Sequence, residues 1–221
     1  ILITHGSQQG LDLSGKVFLD EGDIVLCESP TYLAAISAFK AYGCRFIEIP
    51  TDEEGMVMNV LEDVLSRNSH IKLIYVIQTF QNPTGKTWSL ERRKKLAELS
   101  SRYNVAVIED NPYGELRFEG ESLPSIKSFD TAGNILCTGS FSKIFCPGFR
   151  IGWIAGDKDI IRKYVLVKQG TDLQCNTIAQ MTIAEYLKHY DIDKHIGKIV
   201  EVYKKRRDIA IECLRRYFPE T

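Results

Sequence analysis

Val105-Ala106-Val107-Ile108-Glu109-Asp110-Asn111-Pro112-Tyr113 is an apolar run that ends on two acids and breaks at Asn-Pro. A short unbroken apolar segment of this kind suits a strand whose sheet is covered on both faces. Similar runs lie on either side of it, at Ile24–Cys27, Arg45–Ile49, Leu73–Ile77, Ile135–Thr138 and Arg150–Ala155, with a strand-like opening at Ile1–Thr4. Between them fall helices with readable ends. Thr31 can cap one that runs to Tyr42 and stops at Gly43. Ser89 can cap another, with Glu91 in its first turn and Leu96, Leu99 and Tyr103 on one face. Strands alternating with helices predict an α/β fold with a mostly parallel sheet.

From Asp157 onward the strand runs cease and three helical stretches follow. The last carries Ile192, Ile196, Ile199, Tyr203, Ala210, Leu214 and Tyr217 at near-helical spacing. The basic run Lys204-Lys205-Arg206-Arg207 on it reads as a solvated face. That reading suits the charge balance, because 28 Lys and Arg offset 29 Asp and Glu across 221 residues. Without a cationic excess there is little to displace the counterions of a nucleic acid, so none is expected as a partner. No apolar window is long enough for a membrane span. Six scattered cysteines without CxxC, and four histidines without a motif, predict free thiols in a reducing cytoplasm and no metal. The chain lacks a starting Met and is expected to be part of something longer.

In an open α/β sheet, ligands bind beyond the carboxyl ends of the strands. Four loops there carry chemistry. His5-Gly6-Ser7-Gln8-Gln9-Gly10 precedes the helical Leu11–Asp20 and offers free amides to an anion, or a plain N-cap at Ser7. Phe80-Gln81-Asn82-Pro83-Thr84-Gly85 is a turn that leaves the Asn82 amide at a strand edge. Glu109-Asp110-Asn111-Pro112-Tyr113 brings a carboxylate and a phenol. Gly139-Ser140-Phe141-Ser142-Lys143, with Arg150 downstream, supplies hydroxyls and a guanidinium for a phosphate, plus a nucleophilic Lys. No GxGxxG or GxxxxGK[ST] occurs, which excludes the Rossmann and P-loop fingerprints. A phosphate clamp, a Lys, an Asp, an Asn and a Tyr together meet the needs of pyridoxal 5′-phosphate (PLP).

The motifs HGSQQGLDL, SPTY, FQNPTG, EDNPYGELRFEG, GSFSK and PGFRIGW, in that order, resemble fold-type I PLP enzymes of the class I/II aminotransferases, especially the aminoadipate and kynurenine branch. The resemblance implies the three-layer α/β/α large domain of that fold, with a mixed, mostly parallel seven-stranded sheet containing one antiparallel strand. It implies that Lys143 is the Schiff-base lysine, that Asp110 pairs with the pyridine nitrogen, and that Asn82 and Tyr113 donate to the ring phenolate. Tyr32 resembles the aromatic that stacks on the ring; with Asn82 it would also meet substrate. Ser140, Ser142 and Arg150, with the amides of Ser7 and Gln8, resemble the phosphate cup.

By the same resemblance residues 1–190 form the PLP-binding domain, and 191–221 a long helix leading toward a small C-terminal domain outside this chain. That domain supplies the Arg for the substrate carboxylate in the family, and the active site is shared in a homodimer. Transamination from an amino acid to a 2-oxo acid such as 2-oxoglutarate is the implied reaction. Two alternatives keep the cofactor: the sensor domain of a MocR-type transcription regulator, and a C–S β-lyase. The Asn of NPTG and the DNPYGE wording favour an enzyme over a regulator.

Overall fold

In the computed structural model, which describes residues 1–219, eight strands form a single sheet in the order β1-β8-β7-β6-β5-β2-β3-β4. They are β1 (Leu2–Thr4), β2 (Ile24–Ser29), β3 (Arg45–Asp52), β4 (Gly55–Met56), β5 (Ile71–Val76), β6 (Ala106–Asp110), β7 (Ile135–Ser140) and β8 (Gly152–Ala155). The seven strands expected from sequence are present, with β8 antiparallel to β7 and β1. The two-residue β4 adds an antiparallel edge to β3. It is too short to leave a periodic signal in the sequence.

Helices cover both faces. α1 (Gly6–Phe18), α2 (Leu33–Lys40) and α5 (Lys158–Gln169) bury Leu11, Leu13, Phe39 and Tyr164 against Val25, Leu73 and Ile108. On the other face α3 (Met58–Arg67) and α4 (Leu90–Tyr103) bury Leu61, Leu65, Leu96 and Leu99 against Leu26, Ile74 and Val107. Each such side chain contributes roughly 1.5–3 kcal/mol through burial. α6 (Thr177–His189) packs Ala179 and Ile183 onto Ile151, and α7 (Ile192–Tyr217) has no buried residue. Glu220 and Thr221, the end of the predicted 191–221 segment, lie outside the described residues.

Ser89 caps α4 as predicted, accepting a hydrogen bond from the Arg92 amide. Thr31 does not cap α2. The N-cap position falls on Tyr32, and the Thr31 hydroxyl is buried without a partner among the described residues. α1 begins at Gly6 rather than Leu11, so Ser7 stands in the first turn and is not the cap. Gln9 closes that end by accepting from the His5 amide at 2.9 Å. The predicted strand at Arg150 starts only at Gly152, because Arg150 takes a left-handed conformation (φ 53°) that ends a 3-10 turn at Pro147–Phe149.

Candidate functional site

The chain runs outward from β2 through β3 in one direction and from β5 through β8 in the other, so the sheet's switch point lies between β2 and β5. One cavity of about 170 Å³ opens at the carboxyl edge there, and all ten predicted site residues line it. Tyr32 comes from the β2 side, Asn82 from the loop after β5, Asp110 and Tyr113 from the end of β6 and its loop. Ser140 closes β7, and Ser142, Lys143 and Arg150 follow it.

One end of the cavity is built for an anion. The first turn of α1 has no side-chain cap, so its amides remain free to face a ligand. Arg150 donates through Nη1 to the Ser142 hydroxyl at 2.9 Å, and the Ser142 amide donates to Ser140 Oγ at 3.1 Å. Backbone packing sets how closely these parts approach. A Cβ on Gly6 would stand 2.4 Å from the Arg150 guanidinium, and one on Gly152 would stand 2.6 Å from Gly6 C and 2.7 Å from Ser7 N. Gly152→Ala therefore has to push the α1 turn away from β8 and disturb the anion cup. The expected cost is about 1–3 kcal/mol, seen as weaker affinity when the cofactor-free protein is titrated with a phosphate-bearing ligand.

The opposite end is carboxylate and amide. The two acids of β6 divide by strand alternation. Glu109 turns away from the cavity and accepts from the amides of Ile126 and Lys127 at 2.8 and 2.9 Å. Asp110 faces the cavity, wholly buried. Its Oδ2 accepts from the Tyr75 hydroxyl at 2.9 Å, and its Oδ1 has no partner among the described residues. Burial pushes the Asp110 carboxyl up to about 7, with the Tyr75 hydrogen bond acting against the rise. Burial likewise raises the Tyr113 phenol, and the Asn82 amide beside it opposes that shift. Lys143 is exposed, makes no ion pair among the described residues, and stands 5.9 Å from the Tyr113 ring centre.

A larger cavity of about 870 Å³ adjoins the first, sharing Asn82, Tyr113, Ser142 and Lys143. Phe80, Leu116, Phe118 and Tyr203 wall it. Here the reading of Lys204–Arg207 as a plain solvated face needs correction. Lys204 and Arg207 pair with Glu119 at 3.2 and 2.7 Å, and Arg207 lies over the Phe118 ring. Half of the basic run thus ties α7 to the loop after β6.

Sequence reasoning missed the residues that brace these loops. Glu28, buried at the end of β2, accepts from the Ile77 amide at 2.9 Å and from Trp88 Nε1 at 2.8 Å. Burial lifts its carboxyl to about 7. Arg93, 1% exposed, donates to the carbonyls of Trp88, Pro124 and Gln78 and to Thr79 Oγ1. Together they clamp both sides of the Phe80–Gly85 turn. His5 joins a separate cluster beside α1. It meets Asp172 at 3.2 Å, near Cys175, but Lys168 already holds that carboxylate at 2.5 and 2.6 Å. A cation so close makes the cluster an ion-pair node. All six cysteines are free.

Known proteins resemble the chain along nearly its whole length. An aromatic-amino-acid aminotransferase of Thermococcus litoralis is 48% identical over the whole chain, which covers 54% of that relative. The crystal structure of LysN, the α-aminoadipate aminotransferase of Thermus thermophilus, complexed with N-(5′-phosphopyridoxyl)-L-leucine, matches with a TM-score of 0.91. It is 39% identical, over 99% of this chain and 56% of that one. An uncharacterized HTH-type transcriptional regulator of Bacillus subtilis, YisV, is 36% identical over 98% of this chain and 45% of its own length. The chain spans about half the length of the curated relatives it matches. The family model for aminotransferase class I and II matches residues 1–219, and to that family the chain belongs.

Proposed function

We propose that the protein is a PLP-dependent aminotransferase that moves an amino group from an amino acid to a 2-oxo acid, with 2-oxoglutarate as acceptor. The observation that carries this reading is a single cavity joining an anion cup, an unpaired lysine and a buried carboxylate with one oxygen left free. These residues fit PLP. The phosphate would suit the α1 amides, Ser140, Ser142 and Arg150, and a protonated ring nitrogen would supply the donor that Asp110 Oδ1 lacks among the described residues. When bound, PLP serves as the electron sink for the carbanion formed at the donor's α-carbon.

The chain's own residues do the rest. Lys143, as the free amine, would take the proton from the donor's α-carbon and then, as the ammonium, give it up again, a base and then an acid. Among the described residues no ion pair holds the Lys143 side chain, which is exposed at the cavity. Asp110 keeps the ring nitrogen protonated through its negative charge. Asn82 and Tyr113 would hold the ring phenolate and Tyr32 would pack on the ring, all three lining the cavity. The substrate enters through the larger cavity, meeting Asn82 and Tyr32.

The protein acts as a homodimer in this reading. Ile178, Met181 and Leu187 on α6 and the neighbouring Leu173 are exposed, an apolar surface of the kind that pairs subunits. Residues 1–190 form the cofactor domain and 191–221 the arm toward a small second domain, consistent with the unburied apolar residues of α7. The likeness to a regulator supports a second reading, in which the same cavity binds cofactor without turnover.

Adding a donor amino acid alone to the full-length protein should shift the visible absorption of its cofactor, and a 2-oxo acid should restore it. Release of ammonia and pyruvate with no acceptor present would instead identify a β-lyase. A spectral response without product would favour the regulator.

A further inference from the structure

The transamination reading assigns Asp110 its task but leaves open what orients Asp110. Its carboxylate is buried at the end of β6, and among the described residues no cation pairs with it. One donor reaches it: the Tyr75 hydroxyl, 2.9 Å from Oδ2. Tyr75 is on the adjacent strand β5, where it registers with Ile108, two residues before Asp110. The two side chains are therefore diagonal neighbours on one face of the sheet. The phenol cannot swing away. Its ring is 1% exposed and packs edge-on against Phe39 at 5.8 Å between centres.

We propose that Tyr75 is a positioning residue for the reaction: its hydroxyl occupies Oδ2, aims Oδ1 into the cavity and holds the carboxylate ionised. This rests on the reading that Asp110 meets the cofactor's ring nitrogen. A buried carboxylate needs donors for its lone pairs, and a neutral phenol supplies one without cancelling the charge that the ring nitrogen requires. A lysine or arginine at that place would compete with the ring nitrogen for the carboxylate. Burial and the nearby Asp110 push the Tyr75 phenol well above its ordinary value, so it remains a donor at physiological pH. The other titratable groups around the pair are Glu28 from β2, Tyr32 at the start of α2, Tyr113 after β6, Cys137 on β7 and Lys143 across the cavity. None of them hydrogen-bonds Asp110 among the described residues.

Tyr75→Phe removes the hydroxyl and keeps the ring against Phe39. In the full-length protein, PLP affinity is measured by fluorescence titration for wild type and variant between about pH 5 and 9, around the usual titration range. Losing a donor to the charged form raises the Asp110 pKa. The pH below which affinity declines should therefore move upward by about one unit, with PLP bound on the order of tenfold more weakly at neutral pH. Turnover number should fall while the donor KM stays close to wild type. Replacing Tyr75 by a fluorinated tyrosine, a stronger donor, should move the same midpoint downward. An unchanged midpoint in both variants would overturn the proposal and leave Tyr75 a packing residue.

A carboxyl titration of Asp110, followed by NMR in the cofactor-free protein, separates the orienting hydrogen bond from cofactor binding. If wild type binds no PLP but Tyr75→Phe still raises the Asp110 midpoint, the functional reading fails and the orienting hydrogen bond stands. If the Asp110 midpoint does not move, the orienting role fails whatever the cofactor does.

Discussion

Lys143→Ala should lower transaminase turnover by about 10⁴-fold or more, the upper range for losing a positioned acid–base group. The loss exceeds that of any neighbour because no other lysine lines the cavity and neither Asn82 nor Tyr113 offers a basic nitrogen there. Cofactor binding should survive. The phosphate contacts of Ser140, Ser142, Arg150 and the α1 amides do not involve the lysine, so the variant should still take up PLP, with an altered spectrum. A soluble amine added at high concentration should restore part of the proton transfer, because the truncated side chain leaves space beside an open cavity of about 870 Å³. Stopped-flow measurement of the half-reaction with a donor amino acid reads all of this. Turnover within tenfold of wild type would remove Lys143 from the mechanism.

Asp110→Asn should cost about 10²- to 10³-fold in turnover, in line with the 3–5 kcal/mol lost when one partner of a buried ion pair is removed. Asn is nearly isosteric and can still accept from the Tyr75 hydroxyl, which isolates the charge as the missing property. Without it the ring nitrogen is no longer held protonated and the electron sink weakens, so PLP remains bound but works poorly. The pH response should also change. In wild type the cofactor-free carboxyl titrates near 7, its folded value lying above the ordinary one. Cofactor affinity therefore declines as pH falls through that region. Asp110→Asn has no such titration, so its affinity should be weaker at high pH and flatter across the range. Wild-type-like turnover in this variant would count decisively against the assignment.

Much of the site was legible in the sequence because the sheet topology makes it so. In a parallel sheet every strand-end loop opens on the same edge, so Asn82, Asp110 and Ser140, far apart in the chain, converge once the alternation of strands and helices is recognised. The charge at a strand end is itself a signal, since a carboxylate closing an apolar run needs a reason. Glu109 shows the limit of that signal. It stands beside Asp110 with the same chemistry, yet alternation sends it to the opposite face to hold the amides of Ile126 and Lys127.

The braces were hidden for a different reason. Glu28 bonds an amide 49 residues away, and Arg93 reaches the carbonyl of Pro124, 31 residues on. No local spacing encodes such partners. Tyr75 lies inside an apolar strand and looks like core until its hydroxyl is seen to point at Asp110. Gly152 lies within PGFRIGW with no local signal of its role, because that role comes from the backbone of Gly6 and Ser7 pressing on it across the sheet. Arg207 appeared as one of four exposed cations, and only the fold reveals Glu119 and Phe118 beside it.

Borohydride reduction followed by peptide mapping reads whether Lys143 is the residue that bonds covalently to PLP. Reduction of the full-length, cofactor-loaded protein should abolish the visible band and place the phosphopyridoxyl mass on the peptide containing Gly139-Ser140-Phe141-Ser142-Lys143. A label confined to any other lysine, or a protein that takes up no PLP at all, would contradict the account.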